Sequence, residues 1–205
     1  FSSIVDEPMR KRLMQADAQV FDIFETYLPA LSTAIGIPHS GHVGRSHGMG
    51  DQMEYDRRVA AVNYALSFDD GLRLKGLDDA DLILIGVSRT GKTPTCLYLA
   101  MQYVLKAANF PLTEDDFMHG SLPGPLREHR DRLFGLSIAP ERLHRIRDER
   151  SPGSTYASLA QCRREVSAAE DLFRSSAIPF LDSTTVSIEE LAIEIMQRIG
   201  VQRHY

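Results

Sequence analysis

Cysteine is scarce. Cys96 and Cys162 are the only two among 205 residues, and they fall in no ligand or redox spacing. That argues against a disulfide-stapled scaffold and suits a reducing, cytoplasmic setting. Each reads as a small buried residue rather than a nucleophile. No apolar run approaches the roughly 18 residues of a membrane span, and no signal-peptide pattern is visible, so no membrane association is expected. Positive charge is not in excess either. Lys and Arg number 23 against 28 Asp and Glu, a net charge of −5, which argues against nucleic acid as a partner. There is no internal repeat and no low-complexity segment, which removes solenoids. The first residue is Phe1 rather than Met, and the chain is therefore expected to be a piece of a longer protein.

What is present is the composition of a globular protein. With 43% apolar and 25% charged residues, one α/β domain with an appendage is the natural expectation. The most informative stretch is 81–101, DLILIGVSRTGKTPTCLYLAM. Leu82–Ile85 form an unbroken apolar run, as a strand buried on both faces requires. Gly86-Val87-Ser88-Arg89-Thr90-Gly91-Lys92-Thr93 then matches the G-x-x-x-x-G-K-[ST] phosphate-binding loop, a match that chance alone produces in roughly one chain in a hundred of this length. Its glycines allow a tight backbone whose N–H groups meet phosphate oxygens. Lys92 is expected to reach the terminal phosphates and Thr93 to ligate Mg²⁺. Leu97, Ala100, Met101, Val104 and Leu105 follow at helical spacing, so the loop opens a helix whose N-terminus favours anions. Pro94 lies in the first turn, where its missing N–H costs little.

Before this stretch, residues 6–28 read as one helix, capped by Asp6, striped by Leu13, Val20, Phe21, Phe24 and Leu28, and bracketed by Pro29 and Pro38. The loop 36–50 carries His39, His42 and His47. No Cys or carboxylate joins them at a ligand spacing, so phosphate or partner contacts are favoured over a metal. A second helix over 51–68 runs into Phe68-Asp69-Asp70-Gly71. That acidic pair reads equally as a Mg²⁺ or base site and as a helix-stop turn. Asp78 and Asp79 belong to the polar turn before the strand.

After the loop and its helix, short strands are expected at 107–110, 133–138 and 178–181, with helices from Pro140, over 158–175 and over 188–199. Ser187 and Glu190 form a capping box for the last. Arg142, Arg145, Arg147 and Arg150 recur on the helix PERLHRIRDER. Arg147 and Arg150, which adjoin the Ser151-Pro152-Gly153 loop, are the candidates for a phosphate clamp, against a solvated face as the alternative. Asp182, at a strand end, is a weaker Mg²⁺ candidate or a turn residue. The order of elements implies an α/β fold: a mostly parallel sheet flanked by helices, with an N-terminal helical segment and the site at the strand C-termini. The expected division is 1–72, the helical remainder of an N-terminal region, and 73–205, a P-loop phosphotransferase domain.

GVSRTGKTPT and YLA, preceded by the FDDG box and followed by KAANFPL, FGLSIAPERLHRIRDER, YASLAQCRREV and IPFLDSTTVSIEELA, resemble the bacterial phosphoenolpyruvate synthase regulatory proteins. The pyruvate, phosphate dikinase regulatory proteins are their close relatives. The resemblance runs from the histidine loop to about residue 200, and YASLAQCRREV and IPFLDST look more like the synthase branch. It implies a bifunctional regulator. One activity transfers a phosphoryl group from ADP to a threonine of phosphoenolpyruvate synthase already phosphorylated on its catalytic histidine, inactivating it. The other removes that phosphate with inorganic phosphate as acceptor, releasing pyrophosphate. Carried over residue by residue, the resemblance puts the nucleotide on Gly86–Thr93, lets Arg89 touch the transferring phosphate, and makes Asp69 and Asp70 the base or metal holder, with Lys92 at the phosphates. A homodimer is compatible with this reading. Three alternatives stay open at this point: the same chemistry on the dikinase, a small-molecule P-loop kinase, and a nucleotide-gated binding module that is no enzyme.

Overall fold

The computed structural model describes residues 2, 4, 7–37, 52–69, 76–118 and 120–200. His39, His42 and His47, the expected cap Asp6, and Asp70 lie outside them. The chain divides into two compact units, Phe1–Gln52 and Met53–Tyr205.

In the first unit the single helix expected over 6–28 is two: α1 (Glu7–Leu13) and α2 (Ile23–Ile35). The break has a local cause. Asp22 adopts an extended conformation, and its carboxylate accepts hydrogen bonds from the amides of Phe24 and Glu25, both at 3.0 Å. A new helix therefore starts at Ile23 instead of the old one continuing. Ser2 bridges the same point, its N–H donating to Phe21 O and its carbonyl accepting from Ile23 N–H. Pro29, expected to end a helix, sits inside α2, which runs on to Gly36, whose φ of 75° closes it.

The second unit begins with α3 (Gln52–Ser67) at its boundary and then builds a parallel sheet. Its strands are β1 (Leu82–Gly86), β2 (Ala107–Pro111), β3 (Leu133–Ser137) and β4 (Phe180–Asp182). The spatial order is β2-β1-β3-β4. β1 is buried along its whole length, and its side chains alternate between faces. Ile83 and Ile85 pack with Ala108, Leu126, Leu143 and Phe173, on the side of α6 (Pro140–Arg150) and α7 (Leu159–Ser175). Leu82 and Leu84 pack with Phe134, Leu136, Leu99 and Ile195, on the side of α4 (Lys92–Tyr103) and α8 (Ile188–Ile199). A sheet covered on both faces needs apolar residues in both registers, which is why β1 reads as an unbroken run. Short α5 (Glu114–Met118) and a 3₁₀ segment, Gly124–Arg132, link β2 to β3. Ser187 and Glu190 form their capping box at α8. Asp78 and Asp79 sit in a 3₁₀ turn before β1.

The chain goes from β1 outward to β2, then back past β1 to β3. The strand order therefore reverses beside the C-terminal end of β1, where open α/β sheets leave a crevice. The loop Gly86–Thr93 leaves β1 at that point.

Candidate functional site

The loop from β1 to α4 is shaped by its backbone. Gly86 has φ 151°, and a Cβ there would sit 2.3 Å from the carbonyl oxygen of Leu136 on β3, so no larger residue fits. Gly91 has φ 90°, and between the glycines Arg89 takes φ 76°, a region a non-glycine residue enters only under constraint. Thr90 Oγ1 and Lys92 Nζ both donate to Val87 O, at 3.1 and 2.8 Å. Lys92 is only 4% exposed, so its ammonium is held inside the curl of the loop. Ser183, just after β4, donates to Thr90 O at 2.9 Å and supports the loop from below. The N-terminus of α4 has no side-chain cap, which leaves its first amides for an anion. Pro94 sits in that first turn, where its lack of an N–H breaks no helical bond.

Beside the loop stands a three-residue polar group. Asp69 Oδ1 accepts from Thr93 Oγ1 at 2.7 Å and from Asn109 Nδ2 at 2.6 Å, and Asn109 Nδ2 also lies 3.0 Å from Thr93 Oγ1. Asp69 arrives there because Asn109 N–H of β2 donates to Phe68 O at 3.0 Å, tying the end of the FDDG box to the sheet. Asn109 Oδ1 is buried without a hydrogen-bond partner. A buried acceptor without a donor is costly.

Asp69, Ser88, Arg89, Gly91, Lys92, Thr93, Asn109 and Arg150 line one cavity of about 460 Å³, within the roughly 300–1,000 Å³ of small-molecule sites. The two arginines singled out on α6 part company here. Arg150 is exposed and lines this cavity. Arg147 is buried: its guanidinium pairs with Glu165 at 2.6 Å and donates to Tyr156 O at 3.1 Å and Ser88 O at 3.3 Å. With Ser88, Glu114, Gln161 and Glu165 it lines a second cavity of about 520 Å³. Asp182 does not join Thr93. Its Oδ1 accepts from the amide of Thr184 at 2.8 Å and from the Thr184 hydroxyl, which is a turn role.

Both thiols are free and buried. Burial pushes the Cys96 thiol far up, outweighing the nearby Lys92 cation, and raises that of Cys162 against the pull of Arg147. A protonated, buried thiol is a poor nucleophile.

The sequence pattern of the kinase/pyrophosphorylase family matches residues 1–196. The chain belongs to that family. It is accordingly a kinase-type enzyme. Relatives named "Putative phosphoenolpyruvate synthase regulatory protein" include one from Hahella chejuensis, 48% identical over 204 residues, which span 100% of this chain and 75% of the relative. Others come from Bordetella avium, 49% identical over 99% of this chain and 74% of the relative, and from Ectopseudomonas mendocina, 51% identical over 99% and 75%.

In this family member, reading the sequence led to the loop, to Asp69 and to Arg150 at the same cavity. It missed Asn109, Ser183, Tyr156 and Glu165. Asn109 lies in a strand, where a polar residue facing the crevice was a usable signal. Glu165 and Tyr156 act through contacts distant in sequence and left no local trace. Asp70 lies outside the described residues, as do the three histidines.

Proposed function

We propose that this chain carries the transfer site of a bifunctional regulator of phosphoenolpyruvate synthase. In one direction ADP gives its β-phosphoryl group to a threonine hydroxyl of the His-phosphorylated synthase, leaving AMP, and the synthase is inactivated. In the other, inorganic phosphate takes that phosphoryl group, pyrophosphate leaves, and the hydroxyl is restored. The setting is the cytoplasm, where the target enzyme works. Family membership supports the kinase and pyrophosphorylase pair. The names of the relatives support the synthase as target.

The observation that carries the reading is the conjunction of a buried Lys92 ammonium, an uncapped helix N-terminus and the Asp69–Thr93–Asn109 group around one cavity. The donors Lys92, Arg89, Arg150 and the α4 amides suit a diphosphate. Thr93 Oγ1 and Asp69 fit Mg²⁺. Among the described residues no three His, Cys, Asp or Glu gather as a metal cluster, but Mg²⁺ needs only one or two protein oxygens when phosphates and water complete its shell. When bound, Mg²⁺ neutralises charge on the phosphate oxygens. Lys92 holds the transferring phosphate against the loop, and Arg89 and Arg150 orient it from the open side. A carboxylate of the Asp69-Asp70 pair accepts the threonine proton.

The test is transfer of label from β-³²P ADP, with purified His-phosphorylated synthase as acceptor. Label on a synthase threonine, released as pyrophosphate when unlabelled inorganic phosphate is added, is the expected result. Label entering a small metabolite, or no transfer, would overturn the reading. Transfer to the dikinase alone would move the target to that enzyme.

A further inference from the structure

Arg89 holds a left-handed backbone with φ 76°. Such a conformation persists in a residue with a side chain only when the surroundings over-determine it. The residue just before it is held from two sides. Ser88 is gripped at its carbonyl and at its hydroxyl. Its carbonyl accepts from Arg147 Nη2 at 3.3 Å, and its hydroxyl oxygen lies 3.0 Å from the Tyr156 hydroxyl, which donates to it. These two gripping residues are themselves locked together. Arg147 donates to Tyr156 O at 3.1 Å, and its guanidinium stacks 4.0 Å above the Tyr156 ring. Glu165 of α7 fixes the guanidinium from behind at 2.6 Å.

We propose that Arg147 and Tyr156 are positioning residues for the Gly86–Thr93 loop, acting through Ser88. By pinning Ser88 they hold Arg89 in its left-handed turn and keep the loop amides aimed into the cavity. This deepens the proposed function and rests on its reading of the loop as the phosphate cradle. It also changes the part played by Arg147. Its two terminal nitrogens are turned to a carboxylate and two backbone carbonyls, its Nε is buried without a partner, and it does not line the loop cavity, so it offers no two-pronged fork to a phosphate there. Arg150, exposed at the cavity, is left for that.

Replacing Arg147 takes away the cation paired with the part-buried Glu165 and leaves a hole where a fully buried side chain stood, which risks the fold. Tyr156→Phe avoids this. It removes one hydroxyl from a residue 39% exposed and keeps the ring under the guanidinium. The measurements are hydrogen exchange at the Arg89 and Thr90 amides, ADP affinity, and kcat at saturating ADP. In Tyr156→Phe, loop exchange is expected to speed up and ADP affinity to fall, each by roughly three- to tenfold, the scale of one lost hydrogen bond. Melting temperature, β1 exchange and kcat stay near those of the unsubstituted chain. Ser88→Ala should speed loop exchange to the same extent, and the double variant no more than either, since both remove one shared bond. A purely structural role would lower the melting temperature and leave the affinity of folded molecules alone.

Unchanged loop exchange in Tyr156→Phe overturns the proposal, whatever ADP does. So does faster exchange with unchanged ADP affinity, or additive effects in the double variant. If the unsubstituted chain binds no ADP, the functional reading falls, while loop exchange still decides whether Tyr156 holds the loop.

Discussion

At the scale of single residues, Asp69 is a carboxylate held by its neighbours at the loop cavity, and the proposed chemistry asks for its charge as well. One oxygen, Oδ1, takes hydrogen bonds from both Thr93 and Asn109. An asparagine in its place still offers an acceptor oxygen, so the local geometry survives while the charge is lost. Asp69→Asn is therefore expected to keep its melting temperature within a few degrees, to need more Mg²⁺ for half-maximal rate, and to lose about a hundredfold or more in threonine phosphorylation. Normal turnover at low Mg²⁺ would return Asp69 to a turn role and leave Asp70 as the carboxylate to test. Tyr64 makes a different kind of statement. Burial, reinforced by Asp79 and Asp81, pushes its phenol up from 10.0 to about 12, and its hydroxyl donates to Gly76 O at 3.0 Å. The folded state thus favours the neutral phenol more than the unfolded chain does. That contribution is fully present below pH 10 and is lost as the pH rises through about 12. Denaturant midpoints measured across this window should fall faster with pH in the unsubstituted chain than in Tyr64→Phe. Parallel slopes would show that the phenol ionises equally in both states.

At the scale of elements, the tightest constraint outside the loop is where β3 meets α7 and β4. A Cβ on Gly135 would lie 2.7 Å from Phe180 Cβ and 2.8 Å from Phe173 Cε2. Neither ring can withdraw without disturbing the Phe173–Phe180 pair, whose centroids are 5.4 Å apart. Gly135→Ala is expected to cost about 1–3 kcal/mol by overpacking, seen as a melting temperature lower by roughly 2–12 °C. An unchanged melting temperature would mean that the sheet gives way there more easily than its packing implies. The elements were legible where one local signal dominated. The apolar run 82–85, the Pro140 start and the Ser187/Glu190 box each appear where expected. The N-terminal helix was misjudged because its apolar stripe ran through Asp22. The signal that should have outweighed the stripe was present, an Asp followed three residues later by Glu25 just before an apolar run. At the site, the loop and Asp69 were visible as motifs. The grip of Arg147 and Tyr156 on Ser88 was not, because it joins residues 59 and 68 positions apart.

At the scale of the whole molecule, the strand order decides how many sites the two directions of reaction can use. The alternation of strands and helices was readable from the sequence, but β2-β1-β3-β4 was not, since it depends on which strands pair. With β1 between β2 and β3, the end of β1 is the one place in this sheet where the order reverses, and Gly86–Thr93, Asp69 and Asn109 all converge on it. Both proposed directions move a phosphoryl group whose oxygens carry negative charge at the moment of transfer, one from ADP to threonine and the other from threonine to phosphate. If both run in this crevice, they share Lys92. Lys92→Ala should then lower threonine phosphorylation and phosphate-dependent dephosphorylation alike, each by about a hundredfold or more. The fold should tolerate the change. Val87 O loses the lysine donor but keeps Thr90 Oγ1 at 3.1 Å, so no buried carbonyl is stranded. Both rates need measuring on the same preparation, with melting temperature as the control. A variant that keeps its melting temperature and loses both directions supports one shared crevice. A variant that loses one and keeps the other near normal would require a second transfer site, and the cavity of about 520 Å³ across Ser88 would be the place to look for it.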